Sequence, residues 1–242
     1  MSKKISLKQF MMNAGRFEKA FDCIESIRER KVTINGKTII NPSHFFNPKK
    51  SIVKLNNEKI KQASKLYFIL NKPAGYICQK SKNEKSVYEL LDKLSLDINQ
   101  KNSLFAVGRL DKETEGLLMI TNDGKLASLI SNPDKKIEKQ YYAKLIKPLN
   151  SNEMKILEKG IEIKLDNVYY KTKPCKIKIT GEKEIMISIT EGKKRQIRKM
   201  LEHVGNKVIY LKRTSIGSLK LGNLGKGELK KINRSEILKA IE

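Results

Sequence analysis

Cysteine and histidine are scarce in this chain of 242 residues, and their scarcity removes several chemistries at once. Cys23, Cys78 and Cys175 are the only cysteines. They are odd in number and far apart, with no Cys-x-x-Cys, so neither a disulfide framework nor a zinc ribbon is indicated. Buried thiols of a reducing compartment are expected instead. His44 and His203 are the only histidines, too few for most histidine-built metal sites or for a choice of general bases. His203, late in an apparent helix, reads as a helix-end residue. The Gly-x-x-x-x-Gly-Lys-Ser/Thr loop that cradles nucleotide phosphates is missing. No apolar run approaches the ~18 residues of a membrane span, and Met1 to Lys8 has no apolar secretory stretch. A cytoplasmic protein with no membrane association is therefore expected. Any catalysis must rest on carboxylate, Tyr, Lys or Arg.

Basic charge is what the chain has in excess. Lys and Arg number 51 against 26 Asp and Glu, a formal charge of +25. Residues 1–64 carry +9 of it and residues 65–242 carry +16. Both parts should be drawn to a polyanion, because each neutralised phosphate releases a counterion. A membrane surface also attracts cations, but no amphipathic helix with bulky exposed apolar residues is evident. Only eight of the basic residues are Arg.

The first 60 residues read as a small unit. Leu7 to Ala14 and Phe17 to Arg30 are expected helices, the second with an apolar stripe of Phe17, Ala20, Phe21, Ile24 and Ile27. Two β-branched runs then flank Asn35-Gly36, a strong hairpin signal. Ile52 to Leu55 is a further strand. The polar stretch Asn56 to Ser64 reads as linker, placing domains at 1–60 and 66–242 with 61–65 between them. Beyond it, strand-like runs (66–70, 104–107, 117–121, 141–146, 185–190, 208–211) mix with helical stretches (87–94, 125–131, 153–159, 194–204, 235–241). Ile161 to Asp166 can add another strand. Hairpin-like connections such as Thr180-Gly181-Glu182-Lys183 favour an α+β fold with a mostly antiparallel mixed sheet. No extended heptad pattern suggests a dimer, so a monomer is expected.

Three segments can carry chemistry. Asn71-Lys72-Pro73-Ala74-Gly75-Tyr76 is a shaped strand exit. Val107 to Leu118 holds a polar loop, Gly108-Arg109-Leu110-Asp111, between apolar strands; it can present Asp111 from a rigid frame or be a solvated charged turn. Glu191 to Leu201 leads into the expected helix 194–204, whose start is crowded with five basic residues, where the macrodipole disfavours positive charge. An anion, carboxylate or phosphate, should lie nearby.

In order and spacing, "LNKPAGY", "VGRLDKETEGLLMITNDG" and "EGKKRQIRKMLEHVGN" resemble the motifs of ribosomal pseudouridine synthases. The N-terminal helices and "VTINGK" resemble the αL (S4-type) RNA-binding motif that such enzymes carry. Its turn here, Arg16-Phe17-Glu18-Lys19, is less basic than the motif's. The resemblance covers about Ser6 to Leu238. "YFILNKPAGYIC" and "YYKTKPCKIKI" look like the small-subunit enzymes, "RQIR" and "IGSLKLGNLGKGE" like the large-subunit ones.

The resemblance implies an isomerase that converts a uridine of ribosomal RNA to pseudouridine by base flipping, without cofactor or metal. Asp111 matches the family's essential aspartate and Tyr141 its active-site tyrosine. Arg198 matches the basic residue that pairs with the aspartate, and Arg109 the residue that fills the space of the flipped nucleotide. Ile197 is expected to line the uracil pocket, and Lys72 to belong to the substrate-binding set. Two other readings compete: an RNA-binding or ribosome-assembly factor without catalysis, and a metal-dependent hydrolase or nuclease using the carboxylates of residues 111–123.

Overall fold

Asn35 and Gly36 take positive φ angles of 51° and 81°, the left-handed pair that a tight two-residue hairpin needs. This turn joins β2 (Val32–Ile34) to β3 (Lys37–Thr38) in a computed structural model that describes residues 4–166 and 168–242. The first three residues of the expected 1–60 domain lie outside the described residues.

The chain divides into two units. The first comprises the chain up to Leu66 together with Asp92–Phe105. Its elements are β1 (Ile5–Ser6), α1 (Leu7–Asn13), α2 (Ala20–Arg28), β2, β3, β4 (Phe45–Phe46), β5 (Val53–Leu55), β6 (Glu58–Lys59) and α3 (Ile98–Ser103). A four-stranded sheet runs β3-β2-β5-β6, and β1 pairs with β4. Ser6 caps α1 by accepting from the Gln9 amide. Phe10 meets Phe46 edge-on at 5.4 Å in the core beneath.

Three expectations change here. The helix expected from Phe17 begins only at Ala20, and its buried face runs through Cys23, Ser26 and Ile27, leaving Phe21 exposed. Small residues allow the close approach to α1, where the Cys23 thiol reaches the Lys8 carbonyl. The polar stretch after Leu55 is not all linker. Asn56 and Asn57 adopt positive φ, and the chain returns as β6 against β5, since Asn tolerates the left-handed turn that a hairpin requires. Finally, residues 92–105 pack with the first unit rather than with everything after residue 66. Gly15 (φ 69°) lies so close to Asn99 that a Cβ would sit 1.7 Å from the Asn99 carbonyl oxygen.

The second unit comprises Tyr67–Leu91 and Ala106–Glu242. Its strands are β7 (Tyr67–Lys72), β8 (Phe105–Val107, which starts at the boundary), β9 (Glu115–Thr121), β10 (Lys139–Leu145), β11 (Glu162–Leu165), β12 (Val168–Lys171), β13 (Lys176–Gly181), β14 (Glu184–Ile189), β15 (Val208–Ile216), β16 (Leu219–Lys220) and β17 (Leu229–Lys231). The helices are α4 (Gly124–Ser131), α5 (Ser151–Glu158), α6 (Gln196–His203) and α7 (Arg234–Ile241). One mixed sheet follows the order β13-β14-β10-β15-β9-β7-β17, with β16 on β15 and β8 on β9. Within it β9 and β15 are parallel, while β7–β9, β10–β14, β10–β15 and β13–β14 are antiparallel. The α+β architecture is as expected. Strand β7 is buried along its whole length, as is β9, so their central stretches, 67–70 and 117–120, read as continuous apolar runs rather than alternating ones. The strand expected to stop at Leu211 continues to Ile216, because its polar second half pairs with β9 on one side and β10 on the other.

Candidate active site

Three adjacent strands bring the chemistry-bearing segments to one level. Tyr141 in β10 is opposite Arg213 in β15, and Arg213 is opposite Gly116 in β9. The loop carrying Asp111 leads directly into β9 and so arrives beside Tyr141. Gly116 is required at this crossing. Its φ is 103°, and a Cβ would lie 2.2 Å from the Arg213 carbonyl oxygen.

An open cleft of about 560 Å³ lies here, lined by Asp111, Arg109, Tyr141 and Ile197 among others. Four of the six expected site residues therefore share one cavity. Tyr141 and Ile197 are buried, at 7% and 4% exposure, while Arg109 is exposed and Asp111 half-buried. Strand alternation turns the neighbouring Tyr142 to the other face, where it packs edge-on against Tyr210 at 6.1 Å.

Lys72 is not among the lining residues. Its side chain is 0% exposed, and Nζ donates to the carbonyls of Pro73 (3.0 Å), Lys112 (3.1 Å) and Thr114 (2.8 Å). An ammonium has three donors, so all are used on backbone. The expectation that Lys72 binds substrate is corrected: it holds the Asp111 loop from behind. Burial lowers its pKa, opposed by Cys78 and by Glu113, Glu115 and Asp111. The Gly75 amide adds a bond to the same Lys112 carbonyl at 2.8 Å. That contact explains the Lys-Pro-Ala-Gly strand exit, which shapes the chain so that an ammonium and an amide grip one loop.

Arg198 differs from expectation in detail. It is buried in α6 at 8% exposure, and its guanidinium donates to the Val208 carbonyl at 2.9 Å. Among the described residues, no ion pair within 4.0 Å joins it to Asp111. Its charge still feels that carboxylate. Burial and the like charge of Arg195 lower its pKa, while Glu113 and Asp111 raise it. Nε is buried without a hydrogen-bond partner, an unspent donor close to the cleft. The carbonyl of Val208 accepts one bond from Nη1, a placement that only the tertiary fold decides.

The basic crowding at the start of α6 meets carboxylates, as the dipole argument requires. Arg195 pairs with Glu113 at 3.1 Å and Lys194 with Asp166 at 3.1 Å. The Lys193 ammonium lies 4.5 Å from the centre of the Tyr170 ring.

Several site residues escape a reading of the sequence. Arg213, 2% exposed, lies beneath the cleft and donates through Nε to the Leu117 carbonyl at 2.7 Å. After Lys212 it reads as a solvated strand end, and only the pairing on both sides buries it. Glu191 is 5% exposed and gathers the Tyr170 hydroxyl (2.5 Å), the Lys173 amide (3.0 Å) and the Gln196 side-chain amide (2.7 Å), locking the loop before α6. The hydrogen bond to Glu191 and burial push the Tyr170 hydroxyl up to about 12. Cys78 lines the cleft, and its sulfur lies 3.4 Å from both the amide and the carbonyl of Leu110, the residue before Asp111. Burial pushes the Cys78 thiol up. All three cysteines are buried and free. Among the described residues, no three His, Cys, Asp or Glu side chains form a metal-holding group, and no helix is long and apolar enough to cross a membrane.

Comparison with known proteins places this arrangement in a class. The family model of RNA pseudouridylate synthases matches residues 66–203. An uncharacterized RNA pseudouridine synthase of Aquifex aeolicus is 33% identical over 239 residues, covering 97% of this chain and 92% of its own. The ribosomal small subunit pseudouridine synthase A of Salmonella typhimurium is 32% identical over 212 residues, covering 87% and 89%. The crystal structure of a pseudouridylate synthase superposes with a TM-score of 0.69 at 28% identity, over 98% of this chain and all of that one. The chain belongs to the RNA pseudouridine synthase family: it is an isomerase that acts on uridine in RNA.

Proposed function

We propose that the substrate is ribosomal RNA and that Asp111, Tyr141 and Arg198 carry the isomerisation. The observation that bears most weight is the convergence of Asp111, Tyr141, Ile197 and Arg109 on one cleft. The reaction breaks the bond between N1 and C1′, turns the uracil in place, and joins C5 to C1′. The proton on C5 leaves and N1 gains one, so no oxidant, reductant or cofactor enters the balance. A carboxylate can serve as nucleophile or base, and of the two that line the cleft, Asp111 and Asp166, Asp111 is the one on the loop that leads into β9 beside Tyr141. The phenol ring of Tyr141 stacks on the uracil, with its hydroxyl near the carbon 5 proton. Ile197 closes the apolar side of the pocket. The Arg198 charge orients Asp111 electrostatically, and its unpaired Nε is available to a substrate-bound arrangement. Arg109, exposed at the rim, replaces stacking lost when the nucleotide flips, a cost of a few kcal/mol.

The ribosomal assignment rests on the relatives. The Salmonella protein and its Escherichia coli counterpart, 31% identical over 89% of this chain, are named for the small ribosomal subunit. The N-terminal unit reads as the αL (S4-type) RNA-binding module, two helices followed by the β2–β3 hairpin, and the protein as a cytoplasmic one. A map of pseudouridines in both ribosomal RNAs, from cells with and without the gene, tests the assignment. A uridine that loses its modification in the deletion strain is expected, and identical maps would refute it. Removing residues 1–60 should weaken binding to ribosomal RNA; unchanged affinity would remove the targeting role.

A further inference from the structure

Three consecutive basic residues precede α6, and they make different contacts. Lys193 lies over the Tyr170 ring and Lys194 pairs with Asp166. Arg195 alone reaches the loop of Asp111, where it pairs with Glu113 at 3.1 Å. All three line the cleft that holds Asp111 and Tyr141, so it is the contact with Glu113 that sets Arg195 apart. Its backbone is left-handed, with φ 55° and ψ 27°, a conformation rare for residues other than Gly and Asn. The surroundings enforce it. The Lys193 amide donates to the Gln196 side-chain oxygen at 3.0 Å, and the Gln196 side-chain nitrogen donates to buried Glu191 at 2.7 Å. A loop braced in this way aims one guanidinium across the mouth of the cleft.

Glu113 is the carboxylate on the other side. It is more than half exposed and Arg195 is two-fifths exposed, so water screens the pair and it exchanges readily. A guanidinium fork matches phosphate as well as carboxylate. We propose that Arg195 is an RNA-phosphate contact, and that its ion pair with Glu113 is exchanged for a backbone phosphate next to the target uridine when RNA enters the cleft. Glu113 is then a placeholder that competes with substrate. This inference rests on the cleft being the uridine site.

The test is a double-mutant cycle of Arg195→Gln and Glu113→Gln. RNA affinity is measured by anisotropy on unmodified ribosomal RNA transcripts across a salt series. Wild-type isomerisation is followed on the same transcripts by release of label from uracil carbon 5. Glu113→Gln should tighten binding roughly two- to fivefold. Arg195→Gln should weaken binding and flatten the log–log salt slope by about 0.7–0.9, the value of one phosphate contact. In the Arg195→Gln background, Glu113→Gln should gain nothing. Equal tightening in both backgrounds would reduce Glu113 to general charge repulsion and overturn the exchange, as would an unchanged salt slope in Arg195→Gln. A wild type that binds the transcripts without isomerising them would overturn the reading of the site, and the exchange with it.

Discussion

Lys72 and Thr114 are joined by a buried hydrogen bond of 2.8 Å from the ammonium to the backbone carbonyl. Through it a strand-exit motif governs a loop some forty residues further along the chain. The Pro73 and Lys112 carbonyls complete the ammonium's shell. Asp111 is one residue from that clamp, so the lysine sets its position without touching substrate.

Lys72→Met should therefore destabilise the protein and slow turnover while leaving RNA affinity nearly intact. Three carbonyls lose a charged donor, and breaking hydrogen bonds of this kind costs about 2–4 kcal/mol in total. Denaturant unfolding and single-turnover rates check the two effects. A large loss of RNA affinity in the folded variant would return Lys72 to the binding surface.

Asp111→Asn should abolish isomerisation, by about 10³-fold or more, with RNA binding retained, because the amide keeps the shape and removes the basic, nucleophilic oxygen. Gel-shift and product assays on one preparation decide it. An active Asn variant would remove the central assignment.

Arg198→Ala should impair turnover far more than Lys199→Ala. Arg198 is buried, with Asp111 and Glu113 in its field, whereas the Lys199 ammonium donates to the Lys164 carbonyl at the surface. Equal losses in kcat would mean that the helix supplies only a general positive field.

Gly116→Ala should be among the costliest single substitutions in the fold, at about 3 kcal/mol or more. The new methyl would meet the Arg213 backbone at 2.2 Å, at a φ of 103°, so strand β15 would have to move. Thermal unfolding measures it; a variant as stable as wild type would contradict the close crossing.

Acid should expose a contribution from Glu115. Its carboxylate accepts from Tyr210 (2.6 Å) and Lys226 (2.9 Å). Burial raises its pKa, but these two partners and the Ala74 backbone amide together outweigh that and hold it below the usual carboxylate range. The unfolded chain thus takes up the proton first. The contribution is complete above the ordinary value of 4.5 and is lost as pH falls through the folded value. Glu115→Gln should flatten the decline in stability below about pH 5; a parallel decline would refute the assignment.

The sequence by itself determined what chemistry is available and where its segments begin. Scarce Cys and His left carboxylate, Tyr, Lys and Arg. Asn35-Gly36 specified a hairpin through the left-handed φ that both residues accept, and the Gly-Arg-Leu-Asp loop marked Asp111. Such features are local, because turns, caps and spacing follow from a few neighbouring residues. Tertiary structure decided the rest, since burial depends on partners distant in the chain. It made Lys72 a clamp, because the Asp111 loop surrounds its ammonium with carbonyls. It buried Arg213 between two strands, turned Phe21 outward when α2 began late, and drew residues 92–105 to the first unit through the contact of Gly15 with Asn99. It also gave Arg198 the carbonyl of Val208 in place of a direct ion pair with Asp111.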